Sequence, residues 1–221
     1  AYGQDDRVCA YTELMAVLEL NNPEKTAVAI LTDKEETGSD GNTGLRSSYL
    51  RYFIADLAST FGVKGRTVLQ NSRCLSADVN AAFDPTFPDV FEKRNSALLN
   101  GGVCVTKYTG SRGKSGTSDA SAEFAGEIRR LLDANGVIWQ TGQLGKVDQG
   151  GGGTVAMFMA NRNIDTVDIG GGGTVAAYIA NLDVNTIDVG VPVLSMHAPF
   201  EITAKTDIWA AYRAFEAFVN N

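Results

Sequence analysis

The sequence is poor in histidine and cysteine, the two side chains most often found in metal and redox sites. It has one histidine, His197, and three cysteines among 221 residues. Cys9, Cys74 and Cys104 have apolar neighbours and no CxxC spacing, so we interpret them as buried free thiols rather than metal ligands. Free thiols are typical of a reducing compartment, and we expect a cytoplasmic location.

The sequence also lacks an excess of basic residues and any long apolar run. Its 19 basic residues are outnumbered by 26 acidic ones, which gives a net charge of -7. Such a charge argues against nucleic acid or an anionic membrane surface as a partner. No apolar run reaches the roughly 18 residues that a membrane span requires, and no signal-peptide pattern is visible. We therefore predict one soluble globular domain, residues 1–221, that contains a tandem duplication described below.

Helix-like and strand-like segments alternate along the chain. This alternation predicts an α/β fold with a mostly parallel sheet flanked by helices. The predicted helices span 6–20, 47–62, 118–136 and 206–219, and the predicted strands span 26–32, 73–79, 102–109, 137–142 and 191–198. Two short helical pieces are also predicted at 154–162 and 174–182, each followed by a strand-like run, 164–170 and 184–190.

A glycine-rich segment, GGGGTVA, occurs twice. Residues 150–169 and 170–189 form two copies of one 20-residue unit, identical at 11 positions. A P-loop requires lysine after its last glycine, and a GxGxxG loop requires glycine where Val155 stands, so neither nucleotide-binding motif is present. Two units are too few for a solenoid. We interpret the repeat as a tandem duplication of one element, and we favour the second copy in the native position because it keeps His197 in register.

Carboxylates and the single histidine cluster at predicted helix starts and strand ends. Asp5 and Asp6 open a helix, where they could equally act as caps. Asp33, Glu35 and Glu36 follow a strand in what could be a solvated acidic loop. Asp78 and His197 accompany two further apolar strands, and a lone histidine there is more often structural.

Taken together, these groups could converge on one edge of one sheet, where α/β proteins place their ligands. Carboxylate and imidazole ligands suit a hydrolytic zinc or cobalt site. An adjacent glutamate pair offers one group to hold a metal and one to act as a base. The sequence therefore predicts a hydrolytic metal site.

The motifs around these residues resemble those of the aminopeptidase I / aspartyl aminopeptidase family of di-zinc metallopeptidases. The resemblance follows the chain in order through GQDDRVCAYTEL, TDKEETGSDGNTG, LSADVNAAFDP, KYTGSRGKSGTSDA, GQLGKVDQGGGGTVA and SMHAPFE. It implies a three-layer fold like that of zinc exopeptidases, incomplete at the N-terminal side, and removal of N-terminal residues from peptides.

The resemblance also implies roles for individual residues. Asp5 would bridge two metals, supported by Asp6, and Glu35 would be the general base. Glu36, Asp78 and His197 would be metal ligands. The GGGGT loop after the VD dipeptide would meet the substrate, which adds Asp148, Gly151 and Gly152 as supporting or substrate-binding residues.

One departure from the family pattern affects the expected activity. The family has a further metal-binding histidine and a dimerisation domain upstream of the DDR stretch, and this sequence has neither. The resemblance thus implies the C-terminal half of such an enzyme, with two zinc ions per site (cobalt or manganese as alternatives) and assembly into dodecamers. It also implies impaired peptidase activity unless an N-terminal half is supplied. The alternative is a non-catalytic fragment or engineered scaffold of the same fold.

Overall fold

The computed structural model describes residues 1–37, 39–109, 118–146 and 185–221. Within these ranges the helices are α1 (Gln4–Leu18), α2 (Tyr49–Thr60), α3 (Gly65–Gln70), α4 (Ala122–Ala134) and α5 (Lys205–Val219). The strands are β1 (Arg73–Ala81), β2 (Val103–Val105), β3 (Tyr108–Thr109), β4 (Ser118–Asp119), β5 (Trp139–Thr141), β6 (Asn185–Leu194) and β7 (Ile202–Thr203). Short 3-10 helices lie at Glu35–Thr37 and Pro88–Val90.

The helices follow from local signals in the sequence. In α4 the hydroxyl oxygen of Ser121 accepts a hydrogen bond from the Phe124 backbone N–H at 3.2 Å, which caps the helix start. Phe124, Ile128 and Leu132 recur at helical spacing and are buried on one face. Gly136 then takes a left-handed conformation (φ 63°) just after the helix, as is common where helices end. No helix among the described residues is long and apolar enough to cross a membrane.

The main sheet has the strand order β1-β6-β2-β5, and β7 also pairs with β6. The longest pairing is parallel and runs from Arg73 opposite Asn185 to Ala81 opposite Val193. β2 and β5 are also parallel, whereas β2 and β7 pair with β6 in the antiparallel direction. The prediction of a mostly parallel sheet flanked by helices is confirmed, although the sheet is mixed.

The core lies where this sheet meets the helices. Val189 and Val191 of β6 are completely buried, as are Ala211 and Ala214 of α5. The small alanines let α5 approach the sheet closely, and Ile128 of α4 packs into the same cluster.

Several predicted boundaries are wrong, for one shared reason. Residues 26–32 form no strand in the structure, although their apolar run is typical of one. The predicted strand 102–109 is divided into β2 and β3. The predicted helix 118–136 begins only at Ala122, because Ser118–Asp119 form β4 and pair with β3. The strand-like run predicted at 184–190 and the predicted strand 191–198 form one strand, β6, which ends at Leu194 and leaves 195–198 outside it. A strand requires a partner for its backbone groups, and local composition does not reveal that partner.

The duplicated segment lies mostly outside the described residues. The exception is the end of the second copy, Asn185–Val189, which forms the first half of β6 and pairs with β1. Val189 lies between both neighbours, opposite Ala77 of β1 and Val105 of β2. The second copy therefore contributes a strand to the main sheet.

Candidate metal centre

Three side chains that are far apart in the sequence meet at one point. The His197 Nε2 atom lies 2.8 Å from Asp5 Oδ2 and 2.9 Å from Glu36 Oε1. One ligand atom from each residue lies within 4.8 Å of the others. Asp5 is nearly buried, with 10% of its side chain exposed, whereas Glu36 and His197 are 60% exposed. The group is thus buried on the side of Asp5 and accessible to solvent on the side of Glu36 and His197.

Each of the three residues sits where regular structure begins, breaks or ends. Asp5 and Asp6 lie in the first turn of α1, where their backbone angles are not helical and a cis peptide bond joins them. Glu36 lies in the 3-10 helix that follows residues 26–32. His197 lies in a turn after β6 rather than in the predicted strand, and its backbone is left-handed (φ 67°).

Further acidic residues line a cavity of about 480 Å³ beside this group. Asp6, Glu35 and Asp78 all contribute to its wall, together with Asp5 and Glu36. Asp78 is buried in β1, opposite Gly190 of β6, and its Oδ1 accepts a hydrogen bond from the Val79 backbone N–H at 2.8 Å. Asp78 is therefore in the same cavity but outside the group of three ligand atoms that meet within 4.8 Å.

The cavity disfavours negative charge. Burial, reinforced by the charges of Asp6, Glu35 and Asp5, raises the pKa of Asp78 well above its usual range. Burial likewise raises the pKa of Asp6 well above its usual range, against hydrogen bonds from Cys9 that lower it. For Asp5, burial and then the neighbouring Glu36 raise the pKa to about 6. Clustered carboxylates of this kind are stabilised by a bound cation.

The charge on His197 follows from its two carboxylate neighbours. Burial lowers the pKa of His197, but Glu36 and Asp5 more than offset that effect, so the pKa lies above its ordinary value. The imidazole therefore lies between two carboxylates, Asp5 and Glu36, whose charge a bound metal ion would also neutralise.

Another carboxylate, Glu201, is hydrogen-bonded to the backbone of both Asp5 and His197. The motifs in the sequence did not identify it as a site residue. It is 2% exposed. Its Oε1 accepts a hydrogen bond from the His197 backbone N–H at 2.9 Å, and its Oε2 accepts from the backbone N–H groups of Gln4 and of Asp5, the latter at 3.2 Å. Its place in SMHAPFE, four residues after the histidine, was the available signal.

The residues present fit a zinc ion. Carboxylate oxygens and an imidazole nitrogen are the donors that zinc takes in hydrolytic sites, usually three from the protein with one position left open. Asp6 Oδ1 is buried and has no hydrogen-bond partner among the described residues. A buried oxygen without a partner requires an explanation, and a metal ion bound nearby would provide one. Three predicted site residues, Asp148, Gly151 and Gly152, lie outside the described residues.

Comparison with known proteins identifies relatives along the whole chain. The sequence model of the family described as aminopeptidase I zinc metalloprotease (M18) matches residues 1–171 and again 170–219. A protein of Clostridium acetobutylicum named as a probable M18 family aminopeptidase 1 is 48% identical over 100% of this chain and 44% of its own length.

Solved structures agree with the fold. The crystal structure of aminopeptidase I from C. acetobutylicum matches with a TM-score of 0.85 at 48% identity, covering 100% of this chain and 44% of that one. The M18 aminopeptidase of Thermotoga maritima matches with a TM-score of 0.86 at 42% identity, covering 99% and 45%. The dodecamer of Saccharomyces cerevisiae mApe1 matches with a TM-score of 0.73 at 24% identity, covering 99% and 44%. The chain thus spans a little under half the length of these relatives.

Proposed function

This chain belongs to the M18 family of aminopeptidase I zinc metalloproteases, and from that premise we propose that it provides the zinc-binding part of a site that removes N-terminal residues from peptides. The observation that supports this most directly is the convergence of Asp5, Glu36 and His197 within 4.8 Å. These ligands come from three separate parts of the chain, and only the fold brings them together.

In the proposed site, Asp5, Glu36 and His197 would hold one metal ion. Asp5 would also contribute to a second metal position together with Asp78. Bound zinc supplies Lewis-acid polarisation of the scissile carbonyl. Cobalt or manganese could fill the same positions, since all three metals accept oxygen and nitrogen donors.

Glu35 is the proposed general base. It lines the cavity beside Asp5 and Asp78 and immediately precedes the ligand Glu36. From that position its carboxylate takes a proton from the attacking water and returns it to the departing amine. Asp6, whose Oδ1 atom is buried, is proposed to support Asp5, while Asp148, Gly151 and Gly152 are proposed to contact the peptide.

We further propose that the second metal position is weak within these 221 residues and that activity depends on an N-terminal part like that of the relatives, supplied by the same or by a separate polypeptide. Among the described residues, the roles proposed above leave Asp5 and Asp78 as the ligands of that position. The proposed N-terminal part corresponds to the part of the relatives that this chain does not match, since it covers 44% of the C. acetobutylicum protein.

Residues 26–32 support a docking place for that N-terminal part. They carry an apolar sequence without strand pairing, and Val28 and Leu31 are 39% and 56% exposed. Val28, Ile30 and Leu31 face the same cavity as Arg73 and Leu75 of β1. An added strand here would pair backbone groups and cover apolar side chains.

Three further proposals concern the whole protein. The chain is one domain in which the second repeat copy fills the native position, supported by the pairing of Asn185–Val189 with β1. The division of the family match near residue 170 supports the duplication itself. Assembly into a homo-oligomer, a dodecamer as in mApe1, is proposed by analogy. The cytoplasmic location is supported by the three free cysteines.

A non-catalytic role is the second candidate. It is favoured by the position of Asp78 outside the group of three ligands, which leaves one complete metal position among the described residues. A protein of this kind would keep the fold and bind one metal without turnover.

Zinc titration combined with an aminoacyl-anilide assay tests the proposal. We expect the chain to bind zinc, to show little turnover alone, and to gain turnover when mixed with the N-terminal half of a close relative. Glu35→Gln should abolish that turnover and leave zinc affinity nearly unchanged, since Glu35 is a base and not a ligand. Absence of zinc binding by the wild type would refute the proposed function, whereas zinc binding without turnover in the mixture would favour the non-catalytic candidate.

A further inference from the structure

Glu201 connects two segments that each carry a proposed metal ligand. One carboxylate oxygen accepts hydrogen bonds from the backbone at the start of α1, and the other accepts from the backbone of His197. The side chain is 2% exposed, so water does not replace these bonds. Hydrogen bonds to a buried carboxylate are stronger than those between neutral groups.

The backbone at both ligands needs an external partner. The angles at Asp5 are not helical, and its N–H is held by Glu201 at 3.2 Å. His197 has φ 67°, a left-handed conformation that costs a residue with a side chain of order 1 kcal/mol or more and persists only when its surroundings impose it. The bond from the His197 N–H to Glu201 Oε1 is one such constraint.

We propose that Glu201 is a positioning residue that holds Asp5 and His197 at ligand distance before a metal ion binds. Glu201 makes no contact with the ion in this role; it fixes the backbone from which the two ligands project. The inference rests on the proposed metal site and adds a residue to it. Partners that orient metal ligands in this way typically contribute about 10–100-fold to metal affinity.

Asp207 offers a matched control. It is a second buried carboxylate, 0% exposed, and its two oxygens accept hydrogen bonds from the backbone N–H groups of Asn100 at 2.8 Å and Gly102 at 2.9 Å. Asp207→Asn therefore makes the same chemical change as Glu201→Gln, a buried carboxylate to a carboxamide, in a part of the fold that carries no proposed ligand.

The test compares zinc affinity, by competition with a chelator, for the full wild-type chain and both variants. We expect Glu201→Gln to lower zinc affinity by about tenfold or more. The carboxamide replaces one acceptor oxygen with an NH2 group, which cannot accept a hydrogen bond from the backbone N–H that faces it. Asp207→Asn should leave zinc affinity unchanged even where it lowers the melting temperature as much. Equal zinc affinity for Glu201→Gln and wild type would overturn the proposal.

A second measurement needs no variant and covers the case in which Glu201→Gln does not fold. In the metal-free wild type, hydrogen exchange at the amides of Asp5 and His197 should be as slow as that of Val191 in β6. Fast exchange at both amides that becomes slow only after zinc is added would overturn the proposal, since the ion would then organise the site. If the wild type binds no zinc, the proposed function fails, and the exchange rates still decide whether Glu201 holds the two segments.

Discussion

Glu13 allows a quantitative prediction about stability and pH. It lies on α1 and lines the cavity, and its Oε1 accepts a hydrogen bond from the Ile30 backbone N–H at 3.4 Å. Burial raises the pKa of Glu13 to about 7, against the lowering effect of that hydrogen bond. The ordinary value is 4.5. Between pH 4.5 and about pH 7, the folded protein therefore keeps a proton on Glu13 that the unfolded chain has already released.

The sign of the effect follows from this difference. Because the folded-state pKa is raised, the favourable contribution is fully present below about pH 4.5 and is lost as pH rises to about 7. A shift of about 2.5 pKa units corresponds to about 3 kcal/mol at pH 8 and to less than about 1 kcal/mol at pH 5. The charge of Glu13 also contributes to the raised pKa of Asp6, which acts in the same direction.

The substitution Glu13→Gln keeps the acceptor for the Ile30 N–H and removes the ionisation. We expect it to raise the free energy of unfolding by about 3 kcal/mol at pH 8 and to change it by less than about 1 kcal/mol at pH 5. Urea unfolding of the metal-free protein at the two pH values measures this. Glu24→Gln, at an exposed position, is the control and should have little effect at either pH. An equal effect of Glu13→Gln at both pH values would refute the reasoning.

Three further predictions follow from the sheet and the site. Val189→Pro, at a position between two strands, should lower the free energy of unfolding in urea by about 1–3 kcal/mol or more, because it removes a hydrogen-bond donor from a buried strand. Ile169→Pro, at the equivalent position of the first copy, should cost little. Equal losses would contradict the assignment of the second copy to the sheet. Gly190→Ala should lower the free energy of unfolding by about 1–3 kcal/mol and weaken zinc binding, because the added Cβ would lie 2.4 Å from the carbonyl oxygen of Asp78. An unchanged melting temperature would contradict this close packing of β1 against β6. His197→Ala should lower zinc affinity, measured by calorimetry, by more than about 100-fold, the upper end of the loss typical of a group that only orients a ligand. A smaller loss would show that His197 is not a ligand.

The ligand types and the helices were predictable because their signals are local. The serine cap and the spacing of Phe124, Ile128 and Leu132 lie within one helix, and that helix forms close to where the pattern places it. The acidic pairs and the histidine were identifiable as candidate ligands from side-chain chemistry alone. The motifs around them led to the M18 family, which the comparison along the whole chain confirmed.

The tertiary structure decided what depends on contacts between distant residues. Residues 26–32 have the composition of a buried strand, yet they have no strand pairing, because a strand forms only where another offers a hydrogen-bond ladder. β6 joins the end of the second repeat copy to the residues before His197, and its pairing with β1 sets Gly190 against Asp78.

The meeting of Asp5 with His197 and the three backbone hydrogen bonds to Glu201 also belong to the tertiary structure. The sequence by itself determined which groups could bind a metal. The fold determined which of them lie together, because burial and backbone geometry are properties of the packed chain and not of any one segment.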